Sequence, residues 1–466
     1  MGELISNINN ALYGYILIVL LIAGGLYFTF RTKFAQFRLL KAQFKAVSEK
    51  PSDEKSISSF QALMVSTASR VGTGNIIGVS TALCLGGFGS VFWMWIIAIV
   101  GGASALIEST LAQIYKRKGA DGSFYGGPAY YIESGLKSRG LAVIFSVFLI
   151  LTYGFGFNML ASYNLQSTFS GYSFYNESYT PWIIGLVIAV IVLYCLLGGG
   201  KRIVKVTGFL VPVMGVIYVA VALFIIFKNI YMLPGVLGRI FTEAFNSKAI
   251  FGGFSGSCVM YGIKRGLFSN EAGVGSAPNA SASAEVKHPV TQGLVQILSV
   301  FIDTLLICSA TAFMCLCSGI EPTAELSGAP YVQAALGNVL GAFGPVFITI
   351  AMIFFAFTTL LGNLFYVDQC IFYLTKKVPG KTFKRIYYVI ASLVIFVGSG
   401  LSADLLWNIA DVTMGAMTII NMPAIIILSK YALRALNDFE NKRREGKDLE
   451  FRASDIDLPH EVDWWK

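Results

Sequence analysis

Two stretches of this sequence place ion-binding and polar residues where apolar ones are otherwise the rule. The first, "SRVGTGN" (Ser69 to Asn75), carries Arg70, two glycines and Asn75 within an apolar run. The second, "YGIKRGLFSNEAGVGS" (Tyr261 to Ser276), carries four glycines, the adjacent cations Lys264 and Arg265, and Glu271. Glycine admits non-helical backbone angles, so both stretches are expected to interrupt a helix. An interruption leaves free carbonyls at the end of one half-helix and free N–H groups at the start of the next. Those two poles suit a zwitterion and a small cation. A carboxylate is expected on the amides of Thr73, Gly74 and Asn75, and a sodium ion on the carbonyls of Ala68 and Val71. Unwinding around Gly262 to Gly266 would offer carbonyls to an ammonium group, with Phe268 as a roof and Asn270 as a donor or acceptor.

A third stretch, "FAFTTLLGN" (Phe355 to Asn363), supplies the adjacent hydroxyls of Thr358 and Thr359 to complete an oxygen cage for sodium. Plainer readings stand beside each of these. The glycines of the first stretch would also serve as a close-packing face. A membrane threonine commonly bonds the carbonyl four residues back. Lys264, Arg265 and Glu271 would also serve assembly by pairing with buried charges. Arg70 with Glu271 or Asp368 is read as a gate pair. Further polar residues at depth are Glu108, Asn158, Asp303, Asp368, Asn408 and Asp411, each a structural hydrogen-bonder or a relay member. No HExxH, GxSxG or P-loop is present, so neither enzymatic catalysis nor direct ATP use is expected.

The elements that hold these residues follow from composition. Of 466 residues, 55% are apolar and only 13% charged, about half the charged share of a soluble protein. Mean hydropathy is +0.67. This is a polytopic membrane protein, and continuous apolar runs of helical rather than strand length make it all-α. Eleven spans are expected, at 12–30, 59–86, 89–114, 141–165, 180–198, 207–227, 249–275, 289–318, 341–375, 386–401 and 405–429. Of the 35 Lys and Arg residues, 29 fall in one alternate set of connections. The positive-inside rule then puts the N-terminus outside and the C-terminus in the cytosol of a plasma (inner) membrane. With that charge placement, a pI near 9.0 does not signal nucleic-acid binding. Glu3 rather than a basic residue precedes the first apolar run, so no cleaved leader is expected. The seven cysteines read as small buried hydrophobes. His288, before Pro289, reads as a helix-start residue; the other histidine is His460.

Spans two to six and seven to eleven form two sets of five, each opening with an interrupted helix. Five is odd, so the sets enter the membrane from opposite sides, the arithmetic of an inverted repeat with a site at its interface. The organisation is thus 1–30, an extra N-terminal span; 31–58, an amphipathic cytosolic segment; 59–228 and 249–429, the two repeats; and 430–466, a charged cytosolic tail on the surface or partly disordered.

These stretches resemble the sodium:alanine (or glycine) symporter family, the alanine or glycine:cation symporters. The resemblance rests on "SRVGTGNIIGV", "GGPAYYIESGL" (Gly126 to Leu136), "RGLFSNEAGVGSAP", "HPVTQGL" and "FIDTLLICSATA" (Phe301 to Ala312), in that order over nearly the whole chain. It implies a LeuT-like fold of eleven spans, sodium as the coupling ion and a small amino-acid substrate. Thr73, Gly74 and Asn75 fall on the family's carboxylate-binding break; Ala68, Val71, Thr358 and Thr359 fall on its sodium site. Two positions depart from the family pattern. Ala161, in "FNMLASYN" beside Asn158, stands where Gln is usual, and Asn363 stands where the family has Trp. Asn for Trp frees roughly 100 Å3 of side-chain volume and adds an amide. The expectation is therefore a sodium-coupled importer of a small neutral amino acid, alanine- or glycine-like, or a larger or more polar one such as glutamine, asparagine or serine. A proton-coupled permease, with Glu108 or Asp303 titrating, and an amino-acid sensor that transports nothing are the other readings.

Overall fold

Backbone amides in lipid must bond within their own segment, and the chain answers with helices almost throughout. The computed structural model describes residues 2–53, 56–246, 258–459 and 462–465. A first helix, α1 (Leu17–Arg31), continues from Gly2–Ala11 through a π-helical turn at Leu12–Ile16. The half-helices α2 (Ser59–Arg70) and α3 (Ile77–Gly86) follow, then α4 (Gly89–Ile114), α5 (Arg139–Ser167), α6 (Thr180–Leu196) and α7 (Gly199–Lys228). The second half of the chain brings α8 (Cys258–Asn270), the short α9 (Pro278–Ser283), α10 (Pro289–Leu316), α11 (Ala329–Leu340), α12 (Phe343–Thr375), α13 (Lys381–Gly398) and α14 (Ala403–Arg444). Among the described residues the only strands are Arg117–Lys118 and Phe124–Tyr125, an antiparallel hairpin.

Among the described residues seven helices are individually long and apolar enough to cross a membrane: the N-terminal one from Asn7 to Arg31, α4, α5, α7, α10, α12 and α14. The protein is a multi-pass, helical membrane protein. The other four expected spans fall on segments that are interrupted (59–86 and 249–275), short (α6) or cationic at one end (α13). The stretch 249–257 lies outside the described residues, as does His460.

The burial pattern is that of a protein in lipid. Val187, Val190, Tyr194, Phe209, Val216, Phe224 and Leu393 on α6, α7 and α13 are exposed, while Arg70, Glu108, Glu271 and Asp303 are buried. In water that arrangement would be unfavourable on both counts. The segment 31–58 turns Phe34, Phe37, Leu40 and Phe44 outward and buries Gln36, Leu39, Ala42 and Gln43 against the bundle.

The tail differs from its expected surface placement. Helix α14 runs on to Arg444 because, beyond Pro423, Lys, Arg, Glu and Leu are good helix formers and neither Gly nor Pro intervenes. The chain then folds back, and Trp465 is buried with its Nε1–H donating to the Gln113 carbonyl at 2.7 Å. Lys116 lies beneath the aromatic rings of Phe124, Trp464 and Trp465.

Candidate functional site

Helix α2 is started by a capping box in which Ser58 and Gln61 satisfy each other's backbone donors. It stops at Arg70 because the chain turns extended at Gly72. The Gly72 N–H, which would have closed the next turn on the Ala68 carbonyl, donates instead to Asn75 Oδ1 at 2.8 Å. A single 3-10 turn, Thr73–Asn75, then leads into α3. The Asn75 N–H is taken by the Gly72 carbonyl at 3.1 Å. Among the described residues the N–H groups of Thr73 and Gly74 have no backbone acceptor. The expected cradle of three amides therefore narrows to two. Asn75 holds the break together through its side chain, because its amide reaches Asp303 Oδ1 (2.7 Å) and Ser269 Oγ (3.1 Å) as well as Gly72.

The second interruption lies further along than expected. Gly262 to Gly266 are helical, inside an unbroken α8. Their glycines serve close packing: a Cβ on Gly262 would come 2.5 Å from the Ser90 carbonyl oxygen, and one on Gly266 would meet Ile97, both on α4. The chain unwinds instead at Glu271 (φ +53), Gly273 (φ +84) and Gly275 (φ +90). A left-handed glutamate is uncommon, and its carboxylate secures it, lying 3.2 Å from Ser69 Oγ and 2.7 Å from Ser276 Oγ. Glu108 on α4 accepts from the Gly273 N–H (3.2 Å) and from Asn421 (2.9 Å), which also binds the Gly273 carbonyl. The two breaks touch, through Ser69 to Glu271 and Asn75 to Ser269.

Helix α12 lays Thr359, Gly362 and Asn363 along this junction, since residues three and four apart share a helix face. Gly362 admits Ser69 so closely that a Cβ would stand 2.6 Å from its backbone nitrogen. Thr359 Oγ1 faces Gly72, buried and without a hydrogen-bond partner. Thr358 Oγ1 donates to its own Phe354 carbonyl at 2.9 Å and lies beside Met214. Asn363 joins the first break to α5: its Oδ1 is 2.7 Å from Ser69 Oγ, and its amide donates to Asn158 Oδ1 at 2.9 Å. The Asn158 amide nitrogen is buried and unpartnered, one turn from buried Ala161. Asn270 is buried with its Nδ2 free and its Oδ1 accepting the Ala272 N–H.

Phe268 closes one side. Its ring lies over Gly74, where a Cβ would come within 2.7 Å of it, and packs between Phe157 (4.6 Å) and Trp407 (4.8 Å). Arg70 does not form the expected gate pair. Its NH1 donates to Gln296 at 2.9 Å, and among the described residues no ion pair joins it to Glu271 or Asp368. Its Nε and NH2 are buried without a hydrogen-bond partner. Asp368 borders a separate cavity of about 450 Å3 with Lys384 and Tyr387.

Sequence reasoning left Ser269, Ser69 and Asn164 out of the site and read Asp303 only as a structural hydrogen-bonder, a relay member or a proton-coupling group. Asp303 bonds Asn75, Ser269 and Thr304 from a π-helical turn at Phe301–Cys308, a widened turn common at functional positions. An ionisable residue inside an apolar span was its signal. Asn164 donates to Thr73 Oγ1 at 3.0 Å, a contact nothing in the local sequence announces.

Comparison with known proteins places the chain in a family. Residues 1–453 match the profile described as the sodium:alanine symporter family. The chain is 42% identical over 467 residues to the probable sodium/glutamine symporter GlnT of Bacillus subtilis, covering 100% of this chain and 96% of that one. It is 38% identical over 459 residues to the sodium/alanine symporter AgcS of Methanococcus maripaludis, covering 96% and 99%. Among solved structures, MhsT in complex with L-phenylalanine aligns with 89% of this chain and 94% of that one, at 14% identity and a TM-score of 0.50. That likeness concerns the fold.

Proposed function

The chain belongs to the sodium:alanine symporter family, sodium-coupled amino-acid symporters rather than enzymes, and from that membership we propose that it imports a polar neutral amino acid of about glutamine size. The observation that carries this reading is the junction of the two breaks: unpaired N–H groups of Thr73 and Gly74 beside a buried side-chain amide cluster of Asn363 and Asn158. The amides take the substrate carboxylate, as helix N-termini do for anions. The negative pole at the end of α8, with the Glu271 carboxylate behind it, takes the ammonium group. Asn363 and Asn158 meet the substrate's polar end, where the family pattern places a bulky indole. The sodium/glutamine name of the relative GlnT supports that size and polarity.

Sodium sits between α2 and α12, on the Ala68 carbonyl released by Gly72 and on the unpartnered hydroxyl of Thr359, with Val71 and Thr358 adjoining. Hard oxygens in a dry site suit a small hard cation. Eleven spans cross the membrane: the five of 59–228 and the five of 249–429 as an inverted pair, with the N-terminal helix outside that pairing. The N-terminus faces out and the tail faces the cytosol. Movement of one sodium charge through 100 mV yields about 2.3 kcal/mol. A tenfold sodium gradient adds about 1.4 kcal/mol, enough together for several-hundred-fold accumulation.

Asp303, bonded at once to Asn75 and Ser269, favours a second reading in which a proton rather than sodium drives the cycle. Uptake of labelled glutamine by proteoliposomes, with and without a sodium gradient at fixed pH, tests both. Sodium-driven accumulation with competition by glutamine, asparagine or serine is expected. Competition by glycine and alanine alone removes the enlarged substrate, and accumulation driven by pH without sodium removes the coupling.

A further inference from the structure

The C-terminal tail has no part in the junction, yet it meets the chain that leaves it. Ala284 directly follows α9, the continuation of the second interruption. It pairs with Ile57, and the Glu285 N–H donates to the Ile57 carbonyl at 3.0 Å, just ahead of α2. The ends of α2 and α9 away from the junction are therefore joined there. Two side chains from the end of α4 and just beyond it hold the Ala284 carbonyl: Gln113 Nε2 at 3.0 Å and Lys116 Nζ at 2.8 Å. Lys116 is wholly buried. Its ammonium lies 4.2 Å from the ring centre of Phe124, 5.1 Å from that of Trp465 and 5.7 Å from that of Trp464. A cation out of water depends on such partners, and its bond to a carbonyl is strong only while water is kept out. Two of these three rings come from the tail. The tail is fastened on both sides: Trp465 Nε1–H on the Gln113 carbonyl, and the Phe451 N–H on the Lys287 carbonyl at 3.2 Å. The Ala453 N–H closes the loop on the Trp465 carbonyl at 2.8 Å.

We propose that the tail is a strap that slows opening of the junction toward the face on which the tail lies. While Trp464 and Trp465 are docked, Lys116 stays dry and grips Ala284, and the ends of α2 and α9 stay together. When the pair leaves, water reaches the ammonium, the grip weakens and the two ends are free to part. Substrate released from between the two interruptions toward that face needs them to part. The inference rests on the reading of the chain as an amino-acid symporter and adds a brake to its cycle.

Sodium-driven uptake of labelled glutamine by proteoliposomes of the full-length protein tests it. Trp465→Ala should raise the maximal rate at least about threefold, the rate equivalent of weakening one cation–ring or hydrogen-bond contact. Lys116→Met, which fills the same aromatic surround without gripping Ala284, should do the same, and it serves if the tryptophan variant fails to fold. Arg117 and Asp463 form an exposed ion pair at 3.8 Å that fastens the tail beside Lys116. Joining Arg117→Cys to Asp463→Cys with a bis-maleimide whose spacer contains a disulfide should slow uptake about fivefold or more. Reduction of the spacer should restore the rate, measured against wild type treated with the same reagents. Hydrogen exchange at 284–288 should be faster in W465A than in wild type. A folded K116M or W465A at or below the wild-type rate overturns the proposal, as do uptake indifferent to the crosslink and unchanged exchange at 284–288. Failure of the transport reading shows separately, as absence of sodium-dependent uptake by the wild type, and the exchange measurement then still decides whether the tail holds that connection.

Discussion

Substitution of Thr359 by Val separates an ion ligand from a structural hydroxyl, because the two roles predict opposite signs. The hydroxyl is buried, faces Gly72 and has no partner. Valine keeps the shape and removes only the oxygen. An unsatisfied buried hydroxyl costs about 1–3 kcal/mol, so T359V without sodium should be as stable as wild type or more so. With sodium the order reverses. Loss of one contact to a charged group is worth about 1.5–3 kcal/mol, a weakening of roughly 10- to 150-fold in sodium affinity. At a sodium concentration a hundred times its dissociation constant, the wild type gains about 2.7 kcal/mol. After a thirtyfold weakening the gain falls to about 0.9 kcal/mol. Thermal unfolding of purified protein in sodium and in choline salts reads both effects, and T359S should behave as wild type. Equal stabilisation of T359V and wild type by sodium, with unchanged sodium dependence of uptake, would refute the reasoning.

Gly74→Val should lower uptake at least about a hundredfold, measured in proteoliposomes, because its side chain collides with a Phe268 ring already held between Phe157 and Trp407. Asn363→Trp should restore the bulk of the family pattern: alanine should gain on glutamine in competition assays by roughly tenfold or more. Gly262→Ala should destabilise by about 1–3 kcal/mol, since its methyl group meets the Ser90 backbone. The sodium dependence of its uptake should stay as in wild type, which separates packing from binding. Trp465→Ala should cost about 3–5 kcal/mol of stability in thermal unfolding, the usual loss for a buried aromatic ring.

Much of the fold was legible because lipid enforces long apolar runs, and the expected span 89–114 coincides with the observed helix. "SRVGTGN" was legible as an interruption because Arg70 and Asn75 have no business on a lipid-facing face. The second interruption was misplaced for a definite reason. Glycine has two uses, close packing and left-handed backbone, and composition does not distinguish them. Gly262 and Gly266 serve the first use, Gly273 and Gly275 the second. Asn75 and Asp303 are 228 residues apart and bond directly, a pairing that only the fold creates. The tail read as plain surface because its aromatic pair finds a partner in Lys116, far away in the chain.

The most direct test is an experimental structure of the protein with glutamine and sodium bound. The account predicts the substrate carboxylate on the N–H groups of Thr73 and Gly74, its side-chain amide toward Asn363, and the ion on the Ala68 carbonyl and the Thr359 hydroxyl. A substrate bound away from the helix interruptions, or an ion held without oxygens from both α2 and α12, would contradict it.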